Sequence, residues 1–228
     1  MTENKKENLN NRMIKFLFEG APVRGACVQM AEEWQEMIKF HHYPENVAAL
    51  LGQFTAGALL LSSTIKFEGS LILQVKGSGP IAFIYAEVRN PMSVRAMAEI
   101  REGAEIKPEM DLQELINKDG KGLCALILDP KDRRPGVQPY QGMFSLESNS
   151  VAENLENYMA KSEQLETKLY LAADSKKLGG LVIQKMPSVG GNVSEISDPD
   201  AWGRILQLAH TVTKDELLLS LIHISEPT

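Results

Sequence analysis

Residues Met13 to Phe18 alternate well enough for a first strand, and Glu19-Gly20-Ala21-Pro22 turns it. Apolar positions then recur at helical spacing. Cys27, Met30, Ala31 and Trp34 share a stripe that predicts a helix from Cys27 to Phe40, ending near His41-His42-Tyr43-Pro44. Pro44 opens a second helix, where its missing N–H costs nothing. In that helix Val47, Leu50, Leu51, Phe54, Ala58 and Leu61 form one face, and Ala48, Ala49, Ala56, Leu59 and Leu60 cover much of the rest. A helix apolar on most sides is a buried one, so this run predicts the central core element. It ends in Ser62-Ser63-Thr64, ahead of the charged link Lys66-Phe67-Glu68-Gly69.

A β region follows. Leu71 to Lys76 and Ile81 to Val88 flank Gly77-Ser78-Gly79-Pro80 and read as a hairpin, with Ser93 to Ile100 as a third strand. Asp111 to Asn117 reads as a short helix. Leu123 to Leu128, apolar on both faces, predicts a central strand partnered by Pro139 to Leu146. Ser150 and Glu153 form a capping box for a helix to about Met159. Thr167 to Ala173 and Gly180 to Met186 are two further strands, joined by Asp174-Ser175-Lys176-Lys177. Strand pairs bracket helices rather than alternating with them. The expected fold class is therefore α+β, with mixed layered sheets on a central buried helix and a short helical linker segment behind.

Pro187 to Pro199 marks a boundary with a linker-like centre, Ser188-Val189-Gly190-Gly191-Asn192. Beyond it Trp202, Ile205, Leu206, Ala209 and Val212 make an amphipathic stripe, and Thr213 with Glu216 a second capping box before Leu217, Leu218 and Leu219. An apolar stripe must dock on something. Trp202, Ile205, Leu206 and Ala209 are the expected docking face, in contact with either the core or a second subunit.

Composition narrows the function classes. The 228 residues are 43% hydrophobic and 24% charged, enough for one substantial core and an appendage. The net charge of -6, with interspersed signs, speaks against a nucleic-acid surface. Lys131-Asp132-Arg133-Arg134 reads as a solvated turn between Pro130 and Pro135. The polar stretch from Met1 to Asn11 lacks the apolar segment of a secretory signal, and Gln53 and Thr55 break the longest apolar run. Neither a membrane span nor export is expected, and the expected location is the cytoplasm.

Catalytic chemistry is hard to assemble. Cys27 and Cys124 form no CxxC pair and sit in apolar runs, as buried small hydrophobes do. Gly77-Ser78-Gly79 lacks the helix and the third glycine of a dinucleotide loop, and Gly179-Gly180 precedes a strand. Adjacent His41 and His42 diverge on a helix and do not converge on one metal. A cysteine- or serine-dependent hydrolase and a structural dimerisation module remain as alternatives to a binding protein.

Ordered fragments do converge on one pattern. They are Phe16-Leu17-Phe18-Glu19 with Val23-Arg24-Gly25, Tyr43-Pro44, Lys66-Phe67-Glu68-Gly69, and Gln74-Val75-Lys76-Gly77-Ser78-Gly79-Pro80. Tyr140-Gln141-Gly142, Ser162-Glu163-Gln164 with Thr167, and Gly179-Gly180 through Gln184 to Met186-Pro187 complete them. From about residue 13 to about 219 the chain thus resembles the 33-kDa redox-regulated heat-shock chaperones. The resemblance implies a homodimeric holdase that binds unfolding proteins without ATP under oxidative and heat stress, and that is not an enzyme. It also implies a substrate-binding domain, a helical linker, and a C-terminal domain holding zinc through CxC and CxxC cysteines. Oxidation of those cysteines releases zinc, unfolds the linker and activates binding.

This chain departs from the pattern at its end, because no CxC or CxxC is present and Cys27 and Cys124 do not replace those ligands. The expected organisation is a disordered tail over 1–12, a substrate-binding core over 13–187, a helical linker over 188–220 and a non-native tail over 221–228. The zinc domain is expected to be missing, and with it the cofactor and the redox control. The ten methionines suit an adaptable binding surface, although most are expected in the core.

Overall fold

A computed structural model describes residues 11–89, 93–132, 138–186 and 200–219. Its first sheet joins β1 (Asn11–Leu17) and β2 (Val23–Met30) to β8 (Thr167–Ala173) and β9 (Leu178–Lys185), in the order β1-β2-β9-β8. The second sheet contains β3 (Gly69–Lys76), β4 (Ile81–Arg89), β5 (Ser93–Ile100), β6 (Leu123–Pro130) and β7 (Tyr140–Ser145), in the order β5-β4-β3-β6-β7. The helices are α1 (Glu32–Ile38), α2 (Glu45–Thr64), α3 (Leu112–Ile116), α4 (Val151–Lys161), α5 (Ala201–Ala209) and α6 (Lys214–Leu218). The fold is α+β as expected, and every strand pairing among the described residues is antiparallel.

The helix α2 lies between the sheets and packs on β2, β8 and β9 on one side and on β3, β4 and β5 on the other. This position explains its all-round apolarity. Leu51, Phe54, Leu59, Leu60 and Leu61 are fully buried, and each contributes about 1.5–3 kcal/mol by leaving water. Polar Thr55 is tolerated because its hydroxyl donates to the Leu51 carbonyl at 2.8 Å. By length and composition this helix could cross a membrane, contrary to the sequence expectation, but 78% of its most apolar window is buried inside the fold. Gln53 and Thr55 are too few to lower its mean hydropathy below a membrane helix's.

Several expected elements shift. Residues Cys27 to Met30 are strand, and only Glu32–Ile38 is helical. The apparent helical stripe is incidental: β2 pairs with β1 on one side and with β9 on the other, and pairing across the fold overrides local spacing. His41 and His42 lie beyond α1; His41 stacks on Tyr43 at 5.0 Å, and His42 has a φ of 49°. In the second sheet β3 is central and β6 is next to it. Ser150 does cap α4, accepting from the Glu153 N–H. The reciprocal half of the box is missing, because the Glu153 carboxylate takes the Ser148 hydroxyl instead. Of the described methionines, Met30 and Met159 are buried and Met13, Met37 and Met110 pack against the core, while Met97 and Met143 are exposed. The linker-like segment 188–192 lies outside the described residues.

The Gly77-Ser78-Gly79-Pro80 turn does more than close the β3–β4 hairpin. The Ser78 and Gly79 N–H groups both donate to the Ile116 carbonyl at the end of α3, at 2.6 and 3.1 Å. Arg101 donates from the other side, to the Gly79 carbonyl at 3.0 Å and the Gly77 carbonyl at 2.8 Å. A Cβ on Gly79 would stand 2.6 Å from the Leu115 carbonyl oxygen. The backbones approach so closely that only glycine fits. Gly79→Ala is therefore expected to lower stability by about 1–3 kcal/mol in denaturant unfolding. An unchanged midpoint would show that the loop relaxes freely.

Candidate functional site

The first sheet has two apolar faces, which is unusual for an antiparallel sheet. Along β2, Ala26, Val28 and Met30 face α2, whereas Val23 and Cys27 face away. Along β9, Leu178 and Val182 point inward and Leu181 and Ile183 outward. Tyr170 of β8 and the aromatic rings of Phe16 and Phe18 extend the outward set, and the two rings meet edge to face at 5.5 Å. Every β9 residue except Lys185 is buried, so something covers the outer face too.

That cover is the tail. Ile205 and Ala209 of α5 are buried against Val23, Leu181 and Ile183. Trp202, Val212 and Leu217 pack around them, partly exposed. Leu206 is half-buried and does not enter this cluster, and Leu208 is exposed. The sequence put Trp202, Ile205, Leu206 and Ala209 on the docking face and left its partner open between the core and a second subunit; the structure packs Trp202, Ile205 and Ala209 on the core of the same chain and leaves Leu206 at the margin.

Sequence reasoning missed the residues that hold α6. Its capping box is complete, with Thr213 and Glu216 bonding reciprocally, but none of its residues is buried. Polar contacts at its far end tie it down. Gln29 Nε2 donates to the Leu219 carbonyl at 2.5 Å, and Lys177 Nζ to the Leu218 carbonyl at 3.4 Å. Both meet carbonyls that a helix end leaves without intrahelical partners. The Leu217 carbonyl rests over Gly179, where any Cβ would collide with it. Tyr170 and His210 meet edge to face at 6.3 Å. The only sequence signal for this clamp was Gly179-Gly180, which works here as a seat for a helix backbone.

On the inner face a polar chain ties three strands together. Arg24 donates from Nε and Nη2 to Gln184 Oε1, at 3.0 and 2.5 Å. Gln184, fully buried, passes a donor to Thr167 Oγ1 at 2.8 Å. Burial holds the Arg24 guanidinium below its ordinary pKa. Three motif fragments far apart in sequence meet at this one joint.

Cys27 sits within the covered face, and burial pushes its thiol pKa up. Cys124 lies in the other sheet, fully buried, and is pushed up further for the same reason. Nucleophilic thiols need the opposite shift. Among the described residues no group of three or more His, Cys, Asp or Glu side chains could hold a metal ion. With two cysteines in separate sheets, the residues present do not fit the tetrathiolate zinc site that the resemblance implies. A cleft of about 700 Å³ opens beside Lys15, Ser62, Ser63, Lys66 and Phe67. Its two serine hydroxyls donate to the Leu59 and Leu60 carbonyls of their own helix, at 2.7 and 2.6 Å.

The family model described as Hsp33 protein matches residues 11–226. Relatives named 33 kDa chaperonin include that of Methylobacillus flagellatus, 37% identical over 211 residues, covering 92% of this chain and 68% of the relative. The Neisseria gonorrhoeae protein is 39% identical, covering 92% of this chain and 66% of its own length. That of Nitrosococcus oceani is 40% identical, with coverages of 92% and 68%. The chain thus spans about two thirds of these relatives. The crystal structure of the 33 kDa chaperonin of Thermotoga maritima has the same fold, with a TM-score of 0.70 at 19% identity, over 94% of this chain and 71% of that one.

The two thiols offer a readout of the cover. A neutral alkylating reagent is expected to modify Cys27 before Cys124, and Ile205→Ser to accelerate Cys27 alone. Equal acceleration at both would mean global loosening rather than lifting of the tail helices.

Proposed function

The chain belongs to the Hsp33 family of chaperones, and from that premise we propose that it is an ATP-independent holdase whose client surface lies under its own tail helices. The observation that carries this reading is the second apolar face of the first sheet. Phe16, Val23, Tyr170, Leu181 and Ile183 form a continuous patch that two short helices close. A patch of this kind is what an unfolding polypeptide, rich in exposed apolar side chains, recognises.

The cover is weakly held. Helices of nine and five residues are marginal by themselves. Docking rests mainly on Ile205 and Ala209, with partial contributions from Trp202 and Leu217, so undocking costs only a few kcal/mol at about 25 cal/mol per Å². The clamp carbonyls of Leu218 and Leu219 exchange their side-chain donors for water at little net cost. Clients are unfolded or partly folded proteins of the cytoplasm, and the working form is a homodimer. Cys27 and Cys124, in separate sheets, do not make a zinc site, so no redox switch is assigned to these 228 residues. Family members that do carry zinc-binding cysteines would couple the same cover to thiol oxidation.

Light scattering from a thermally aggregating protein, without ATP, tests the reading. Ile205→Ser is expected to increase suppression of aggregation several-fold at equal concentration, and Leu206→Ser to do less. Circular dichroism guards against global unfolding. Equal suppression by the native chain and folded Ile205→Ser would refute masking by α5. Peroxide and zinc chelation are expected to leave the native chain's activity unchanged, and a response to either would mean that Cys27 and Cys124 have a regulatory role.

A further inference from the structure

The two sheets have four edge strands, and three are guarded. On β8, the Leu169 N–H donates to the Glu156 carboxylate of α4 at 2.8 Å, which blocks one outward backbone group. On β5, the Tyr43 hydroxyl both donates to the Ala98 carbonyl and accepts from the Ala98 N–H, each at 2.9 Å. β1 carries Arg12 and Lys15, charges of the kind that discourage strand addition.

β7 has no such guard among the described residues. The direction of its backbone groups follows from the ladder. Lys131 N–H donates to Glu68 O, so the odd-numbered residues of β6 turn their backbone groups toward β3 and the even-numbered ones toward β7. Leu146 N–H donating to Gly122 O agrees. In β7 it is therefore Tyr140, Gly142 and Phe144 that bond β6, while Gln141, Met143 and Ser145 turn their N–H and C=O groups outward. The same three side chains are exposed, Met143 at 63%. Beside them on the outer face run Ala125 and Ile127 of β6, in register with Met143 and Gln141, and Ile72 of β3. The strand itself is held firmly. Phe144 stacks on Tyr158 at 4.8 Å, and the Tyr140 and Tyr158 hydroxyls both donate to the Glu163 carboxylate.

We propose that the open edge of β7 is a second polypeptide-binding site, which takes up an extended, uncharged client segment as a sixth strand of the second sheet. Main-chain hydrogen bonds to Gln141, Met143 and Ser145 supply sequence-independent affinity. Alternate client side chains extend the apolar row of Met143, Ala125 and Ile127, which favours β-branched and aromatic residues. The site lies in the sheet that α5 and α6 do not cover, so it works whether the tail is docked or not. The occupant's class rests on the chaperone reading; the open edge does not.

The test uses the full chain and a fluorescent peptide of alternating Val and Thr with terminal lysines. The peptide is expected to bind, and N-methylation of its alternate residues to weaken binding about tenfold. Met143→Pro removes one outward N–H at a position where an edge strand tolerates proline, and is expected to weaken binding similarly, while Met143→Leu leaves it unchanged. Equal binding of plain and N-methylated peptides overturns the proposal, whatever the variants do. So does unchanged affinity in a folded Met143→Pro chain, including the case where that variant instead converts a dimer to a monomer and so assigns the edge to a second copy. Peptide binding without any suppression of aggregation keeps the open edge and removes the holdase reading. Suppression without backbone-dependent binding does the reverse.

Discussion

A helix with no polar side cannot be satisfied by one sheet. That constraint organises the molecule: α2 is apolar around its circumference and requires a sheet on each side. Gly52 and Gly57 mark where neighbours press closest, Ala173 and Trp34 on one and Leu155 on the other. Once both sheets are committed to this helix, each has one face and two edges left over. The rest of the structure is an account of what happens to those remainders, and it differs between the sheets.

The first sheet's remaining face is apolar and closed by its own tail. The second sheet's remaining face is mixed, with Arg95, Glu87 and Glu99 among Met97, Tyr85 and Phe83. Two edges are guarded by single side chains brought from elsewhere, Tyr43 from the entrance to α2 and Glu156 from α4, and β1 by charges of its own. The proposed binding surfaces thus arise from incomplete covering of an over-apolar core rather than from a pocket built around reactive groups.

Much of this was legible along the chain. The central helix, the hairpin after it, the strand pair around the charged loop, and the docking stripe through Trp202, Ile205 and Ala209 all follow from local period and punctuation. What was not legible depends on partners distant in sequence. Cys27 to Met30 reads as helix until β9 pairs with it, and no local rule announces a strand whose neighbour is more than a hundred residues later. The clamp on α6 was hidden for the same reason. Gln29 and Lys177 are unremarkable polar residues until a helix end arrives above them. Tyr43-Pro44 and Tyr140-Gln141-Gly142 stood out as motifs, but their work in capping an edge and seating Tyr158 appears only in three dimensions.

The first sheet takes β1 and β2 from the start of the chain and β8 and β9 from beyond residue 166, and the helices that cover it come later still. A chain made from its N-terminus therefore completes the sticky face before the cover exists. Closure of non-local contacts is also the slow part of folding. During synthesis the apolar outer face of the first sheet is therefore complete before the helices that close it have been added.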